Sequence, residues 1–160
     1  MTMAIKVFAV LMARGLKLAT AESCTGGMVA AAITDIAGSS EVFDRGFVTY
    51  SNDAKSDMLA VPASLVEAFG AVSSQVAIAM AEGALDHSLA DIAVAITGIA
   101  GPSGGSIEKP IGLVHFACAM DGVETMATVQ RFGSLTRREI RTKATEFALS
   151  LVLRQLNAAP

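Results

Sequence analysis

The side chains best suited to covalent chemistry stand together in the run TAESCTGG at positions 20–27. Ser23, Cys24 and Thr25 fall between an apolar, strand-like segment, Leu16 to Ala21, and a helix-like one, Met28 to Ile33. At a strand-to-helix junction the first backbone N–H groups of the helix lack partners, and Gly26 and Gly27 leave room for a ligand to approach them. Such a turn suits an anion or a developing oxyanion. A plainer reading has Ser23 or Thr25 capping the helix and the glycines only permitting the turn. Cys24 is a rival nucleophile, because a helix N-terminus favours a thiolate. Neighbouring side chains point in different directions, so Ser23 is assigned to the cleft and Cys24 to the core.

A serine hydroxyl attacks only if a base takes its proton. The segment GFVTYSNDAKSDML at 46–59 offers Tyr50 at a strand end and Lys55 about one helical turn later. A lysine whose pKa is lowered by burial supplies a neutral amine, and a tyrosine can relay a proton, orient a partner or lie against a heterocycle. A single lysine on a helix is usually solvated and a single tyrosine usually packs at a core edge. Their joint placement beyond the serine turn is what suggests catalysis. His87 and His115 make no comparable pair: His87 reads as a helix-end surface residue and His115 as a hydrogen-bonded core residue.

A second glycine-rich stretch, TGIAGPSGGSIEKP at 97–110, follows the most strand-like segment of the chain. In open α/β sheets ligands gather beyond the carboxyl ends of strands, where both glycine-rich runs emerge. Gly98, Gly101, Gly104 and Gly105 let backbone N–H groups approach phosphate oxygens, and Thr97 and Ser103 add hydroxyls. Ser106, Glu108 and Lys109 read instead as an exposed loop.

The elements that must position these residues alternate along the chain. Apolar spacing predicts helices over 3–14, 26–36, 64–69, 73–88 and about 135–156, with another opening near Lys55 after a Ser51-Asn52-Asp53 cap. Strands are predicted over 16–21, 46–50, 91–97, 112–119 and 123–132, the last two joined about Met120-Asp121-Gly122. This order implies a three-layer α/β/α sandwich with a mixed, mainly parallel sheet, one strand running against the rest. Residues 1–160 are expected to form a single domain.

Composition removes several function classes. With 12 basic against 15 acidic residues, no Trp and one Tyr, the chain lacks the basic field and stacking platform of a nucleic-acid binder. Lys6 interrupts the apolar start of the chain and no run is long enough to span a bilayer, so no membrane association is expected. Cys24 and Cys118 form no disulfide or zinc pattern, which suits a cytoplasmic protein. The 52% apolar content and the Ala/Met-rich segment 73–88 suit a homo-oligomer.

Four motifs, TAESCTGG at 20–27, GFVTYSNDAKSDMLAV at 46–61, GAVSSQVAIAMAEGAL at 70–85 and TGIAGPSGGSIEKPIGLV at 97–114, together resemble the CinA C-terminal domain family over nearly the whole chain. The resemblance implies a nicotinamide-nucleotide amidase that hydrolyses nicotinamide mononucleotide to nicotinate mononucleotide and ammonia, with no metal and no cofactor. It implies that Ser23, Tyr50 and Lys55 are the family's serine, tyrosine and lysine. On this reading N–H groups near Thr25, Gly26 and Gly27 hold the oxyanion and the Gly101–Gly105 loop holds the 5′-phosphate. The family's Gly-Asp-Arg pattern before the last helix is replaced by RFGSLTRREIR at 131–141, where Arg137 stands for the arginine and the acidic residue is missing; Arg137 or Arg141 is a candidate to meet the substrate phosphate, with a surface salt bridge as the alternative. Longer relatives add an N-terminal molybdopterin-binding-like domain, whose pyrophosphatase activity is not carried over. The alternatives are a non-catalytic nucleotide- or phosphate-binding module and a serine amidohydrolase of different substrate.

Overall fold

Alternation of side-chain size along the strands sorts the molecule into layers. The computed structural model describes residues 1–160. Its order is α1 (Met3–Arg14), β1 (Leu18–Glu22), α2 (Met28–Thr34), a 3₁₀ turn (Ser39–Glu41), β2 (Phe43–Val48), α3 (Asn52–Leu59) and α4 (Ala63–Phe69), followed by α5 (Ser74–Asp86), β3 (Ile92–Gly98), β4 (Leu113–Met120), β5 (Val123–Arg131) and α6 (Arg137–Ala158). The strands form one sheet in the order β2-β1-β3-β4-β5. β1 is parallel to β2 and β3, whereas β4 is antiparallel to both β3 and β5. Four strands therefore run one way and β4 alone runs back, the mixed α/β arrangement expected.

On one face Ile92, Val94 and Ile96 of β3 and Val114, Phe116 and Cys118 of β4 meet Val7 and Leu11 of α1, Val29 and Ile33 of α2, and the inner side of α6. Phe116 also packs on Phe147 with ring centroids 4.7 Å apart. The opposite face is almost all alanine: Ala19, Ala21, Ala93, Ala95, Ala117 and Ala119 lie beneath Val76, Ala77, Met80, Ala81 and Ala84 of α5. Short side chains there bring α5 close to the sheet, and α3 and α4 pack in turn around α5.

Local signals fix the helix ends. Thr2 caps α1 by accepting the Ile5 N–H, and Gly15, at φ 65°, ends it. Ser51 and Ser73 cap α3 and α5, and Thr136 with Glu139 forms a capping box on α6. Two boundaries differ from expectation where the site is built. β2 occupies 43–48 rather than 46–50, because its register against β1 pairs Leu18 with Phe43 and Glu22 with Val48. Tyr50 thus lies beyond the end of the sheet. α2 begins at Met28 rather than 26, because Gly26 and Gly27 have φ of 58° and 104°, outside the helical region.

Candidate active site

The carboxyl ends of β1, β2 and β3 lie side by side, so the chain leaving each one reaches a common cleft. The ladder continues one residue past the strands: the Ser23 N–H donates to the Ile96 carbonyl at 3.0 Å and the Thr49 N–H to the Glu22 carbonyl at 2.9 Å. Ser23 and Thr49 are therefore tied to the sheet rather than held on free loops. Ser51 starts α3 immediately afterwards, its Oγ accepting the Ala54 N–H at 3.0 Å, and one turn later α3 delivers Lys55 inward.

Lys55 is 1% exposed. Its Nζ donates to the Thr49 carbonyl at 2.9 Å and to Ser23 Oγ at 3.2 Å. The only ion pair in the molecule joins Asp44 to Arg45, so no carboxylate neutralises this ammonium. Burial pushes the Lys55 pKa below its ordinary 10.5. A Cys24 thiolate would oppose that shift, but burial also pushes the Cys24 thiol up to about 11, which keeps it protonated. Cys24 packs with Val29 and Ile33 in the core, while half-buried Ser23 faces the amine. The arrangement can generate a serine alkoxide and leaves the thiol inert.

The cleft measures about 290 Å³ and is walled by Ser23, Tyr50, Lys55, Thr97, Gly98, Gly101, Ser103, Gly104 and Arg137, all anticipated from sequence. Tyr50 does not bond to Ser23 or Lys55. Its Oη accepts from Arg137 Nη2 at 2.7 Å, and Arg137 Nη1 donates to the Gly101 carbonyl at 2.8 Å, so Arg137 bridges the two sides of the mouth. The Thr97 hydroxyl donates to the Ala71 carbonyl at 2.8 Å. Gly98 is required by packing: a Cβ there would stand 2.7 Å from Val114 Cγ2 and 2.9 Å from the Leu113 carbonyl oxygen.

Thr25, Gly26, Gly27 and Gly105 do not line this cleft. The N-terminus of α2 is occupied by the chain's own carboxylate: Glu22, 1% exposed, accepts the Val29 N–H at 2.9 Å and the Ala30 N–H at 3.1 Å. The Gly26 N–H is spent on the Ser23 carbonyl and the Met28 N–H on that of Thr25. The expectation of a vacant helix end is thereby corrected, and neither Ser23 nor Thr25 caps α2. The N–H groups of Cys24, Thr25 and Gly27 have no hydrogen-bond acceptor, and of these three residues only Cys24 lines the cleft.

Two further residues were not singled out in sequence. Asn52 lines the cleft from the first position of α3. Glu22 sits within the nucleophile motif, where its strand position hid its capping role. Arg141, weighed in sequence with Arg137 for the substrate phosphate, lines no part of the cleft and forms no ion pair; it donates from Nε to the Cys24 carbonyl at 3.0 Å and from Nη2 to the Thr25 carbonyl at 3.1 Å. His87 and His115 lie outside the cleft, and His115 Nδ1 is buried without a hydrogen-bond partner, contrary to the bonded core role expected. No three His, Cys, Asp or Glu side chains form a group that could hold a metal ion.

Comparison with known proteins adds independent findings. The family model described as the CinA C-terminal domain matches residues 1–156. Nicotinamide-nucleotide amidohydrolase PncC of Enterobacter agglomerans is 49% identical over 153 residues, covering 96% of this chain and 93% of that protein. The protein of the same name from Escherichia coli strain K12 is 52% identical over 145 residues, covering 91% and 87%. Among solved structures, competence/damage inducible protein CihA from Agrobacterium tumefaciens superposes with a TM-score of 0.94 at 51% identity, covering 97% of this chain and 93% of that one.

Proposed function

The chain belongs to the CinA C-terminal domain family, and from that premise we propose that it hydrolyses nicotinamide mononucleotide to nicotinate mononucleotide and ammonia with Ser23 as nucleophile. The observation that carries the serine assignment is the 3.2 Å hydrogen bond between Lys55 Nζ and Ser23 Oγ in a site where burial favours the neutral amine. Neutral Lys55 takes the Ser23 proton as Oγ bonds to the carboxamide carbon, and the carbonyl π electrons move onto oxygen. When the tetrahedral intermediate collapses, the C–N bond breaks and the amide nitrogen takes that proton from Lys55, leaving as ammonia. Lys55 then removes a proton from water as its oxygen attacks the ester carbon. Breaking the acyl–Oγ bond releases nicotinate mononucleotide, and Lys55 returns the proton to Ser23.

Gly101, Ser103, Gly104 and Arg137 line the same cleft as the pair and suit a phosphate on a substrate anchored away from its reacting amide. The Tyr50 ring, 59% exposed at the mouth, suits contact with the pyridine or ribose. The buried free thiols Cys24 and Cys118 agree with a cytoplasmic setting. A homo-oligomer belongs to the same proposal, supported by exposed Val48, Phe69, Leu89 and Ile107 and checked by light scattering.

The test is ammonia release from nicotinamide mononucleotide by the wild-type protein and by Ser23→Ala, each with a chelator present. Release by the wild type alone supports a serine amidase that needs no metal. Undiminished release by Ser23→Ala removes the nucleophile assignment, and binding without release by either protein favours a nucleotide-binding module.

A further inference from the structure

The nucleophile turn carries a second device that the serine–lysine pair does not use. Arg141 is half-buried on α6, one turn beyond Arg137, and grips the Cys24 and Thr25 carbonyls while lining no part of the cleft. The peptides of this turn are trans, so each carries its C=O and N–H in opposite directions. Fixing a carbonyl therefore aims an N–H. Arg141 holds the Thr25 carbonyl, and the N–H of that same peptide, on Gly26, donates to the Ser23 carbonyl at 3.0 Å. The Ser23–Cys24 peptide, held in turn by its carbonyl, presents the Cys24 N–H. That group has no hydrogen-bond acceptor, and, unlike the equally free N–H groups of Thr25 and Gly27, it belongs to a residue that lines the cleft beside Ser23. Hydrogen bonds in series polarise one another, so the guanidinium charge is passed through two peptides to the N–H beside the nucleophile.

We infer that Arg141 is a positioning residue, orienting and polarising the Cys24 N–H to receive the oxyanion formed when Ser23 Oγ attacks the carboxamide. The inference rests on the serine-amidase reading above. An N–H on the residue after the nucleophile is a recurrent oxyanion donor. The distinctive feature here is a cation, remote from substrate, that fixes it.

The test compares kcat and KM for nicotinamide mononucleotide and its thioamide analogue in wild type, Arg141→Met and Arg141→Lys, with melting temperatures recorded. Arg141→Met is expected to lower kcat on the amide about 10-fold to 100-fold, less than outright loss of an oxyanion donor. KM should stay within about twofold, because the lost interaction belongs to the transition state. Arg141→Lys should recover part of kcat, and the amide-to-thioamide rate ratio should shrink, since a thiolate-like sulfur draws less on the donor. A kcat loss matching the unfolded fraction, equal losses on both substrates, or a raised KM with kcat intact overturns the inference. If Arg141→Met does not fold, Arg141→Lys supports the same comparison at smaller amplitude. Ser23→Ala is assayed alongside: full activity there removes the serine reading itself, whereas an inactive Ser23→Ala with an unimpaired Arg141→Met removes only the positioning role.

Discussion

Lys55 and Cys24 show how one burial acts oppositely on two chemistries. Removing water disfavours the charged form of either group, so it lowers the lysine pKa and raises the thiol's. The amine becomes a base and the thiol ceases to be a nucleophile. The kcat/KM for amide hydrolysis should accordingly rise with pH and level off as Lys55 loses its proton, with the midpoint below 10.5; a pH–rate profile on the wild type checks this. Lys55→Arg keeps a cation that cannot deprotonate and should lower kcat by about 10²-fold or more, whereas a wild-type rate in that variant would deny Lys55 the role of base. Cys24→Ala leaves the backbone donors in place and should retain ammonia release within about threefold, at about 1 kcal/mol of stability lost from the core. Steady-state assays beside a denaturant melt separate those two effects.

At the scale of elements, the site depends on where α3 ends as much as on where it starts. Gly83 of α5 lies against the Leu59 carbonyl at the last residue of α3, and a Cβ at Gly83 would drive into that oxygen. Gly83→Ala should therefore cost about 2–3 kcal/mol through overpacking, although alanine is the better helix former, and a shifted α3 should also lower kcat by moving Lys55 off Ser23. Chemical denaturation together with the amidase assay tests both effects, and a stabilised, fully active variant would show that α3 adapts freely. This contact was not legible in sequence, where Gly83 reads as a weak spot in an alanine-rich helix. The helices and strands were legible, because caps such as Ser51 and Ser73 and the Asp121-Gly122 turn act locally. Ser23, Tyr50 and Lys55 could be brought to one cleft because each follows a strand or opens a helix, and the sheet order then makes those ends neighbours. Register and hydrogen-bond ownership stayed hidden. Nothing local states that β2 stops before Tyr50, that Glu22 fills the end of α2, or that Arg141, more than a hundred residues away in sequence, holds the nucleophile turn. Each of these is a non-local choice among partners that the local sequence leaves equivalent.

For the molecule as a whole, the buried base is a cost to the fold, and pH should expose it. The folded state disfavours protonated Lys55, so its pKa lies below the unfolded value near 10.5. Between those two pKa values the unfolded chain binds more protons than the folded one, so this group makes stability rise with pH across that window. Below the folded pKa the penalty is present in full, and above 10.5 both states are neutral and it vanishes. Lys55→Met fills similar volume without a charge. At neutral pH it should gain about 1–2 kcal/mol, roughly 3–6 °C in Tm for a chain of this length, while losing turnover. The Tm gap over wild type should then narrow as pH climbs towards 10.5. Because every other titrating group is common to the two proteins, subtracting their melting curves at each pH isolates position 55. A gap that stays constant with pH would mean that methionine stabilises by packing alone, leaving Lys55 no strained charge to relieve and no reason to be a stronger base than a lysine in water.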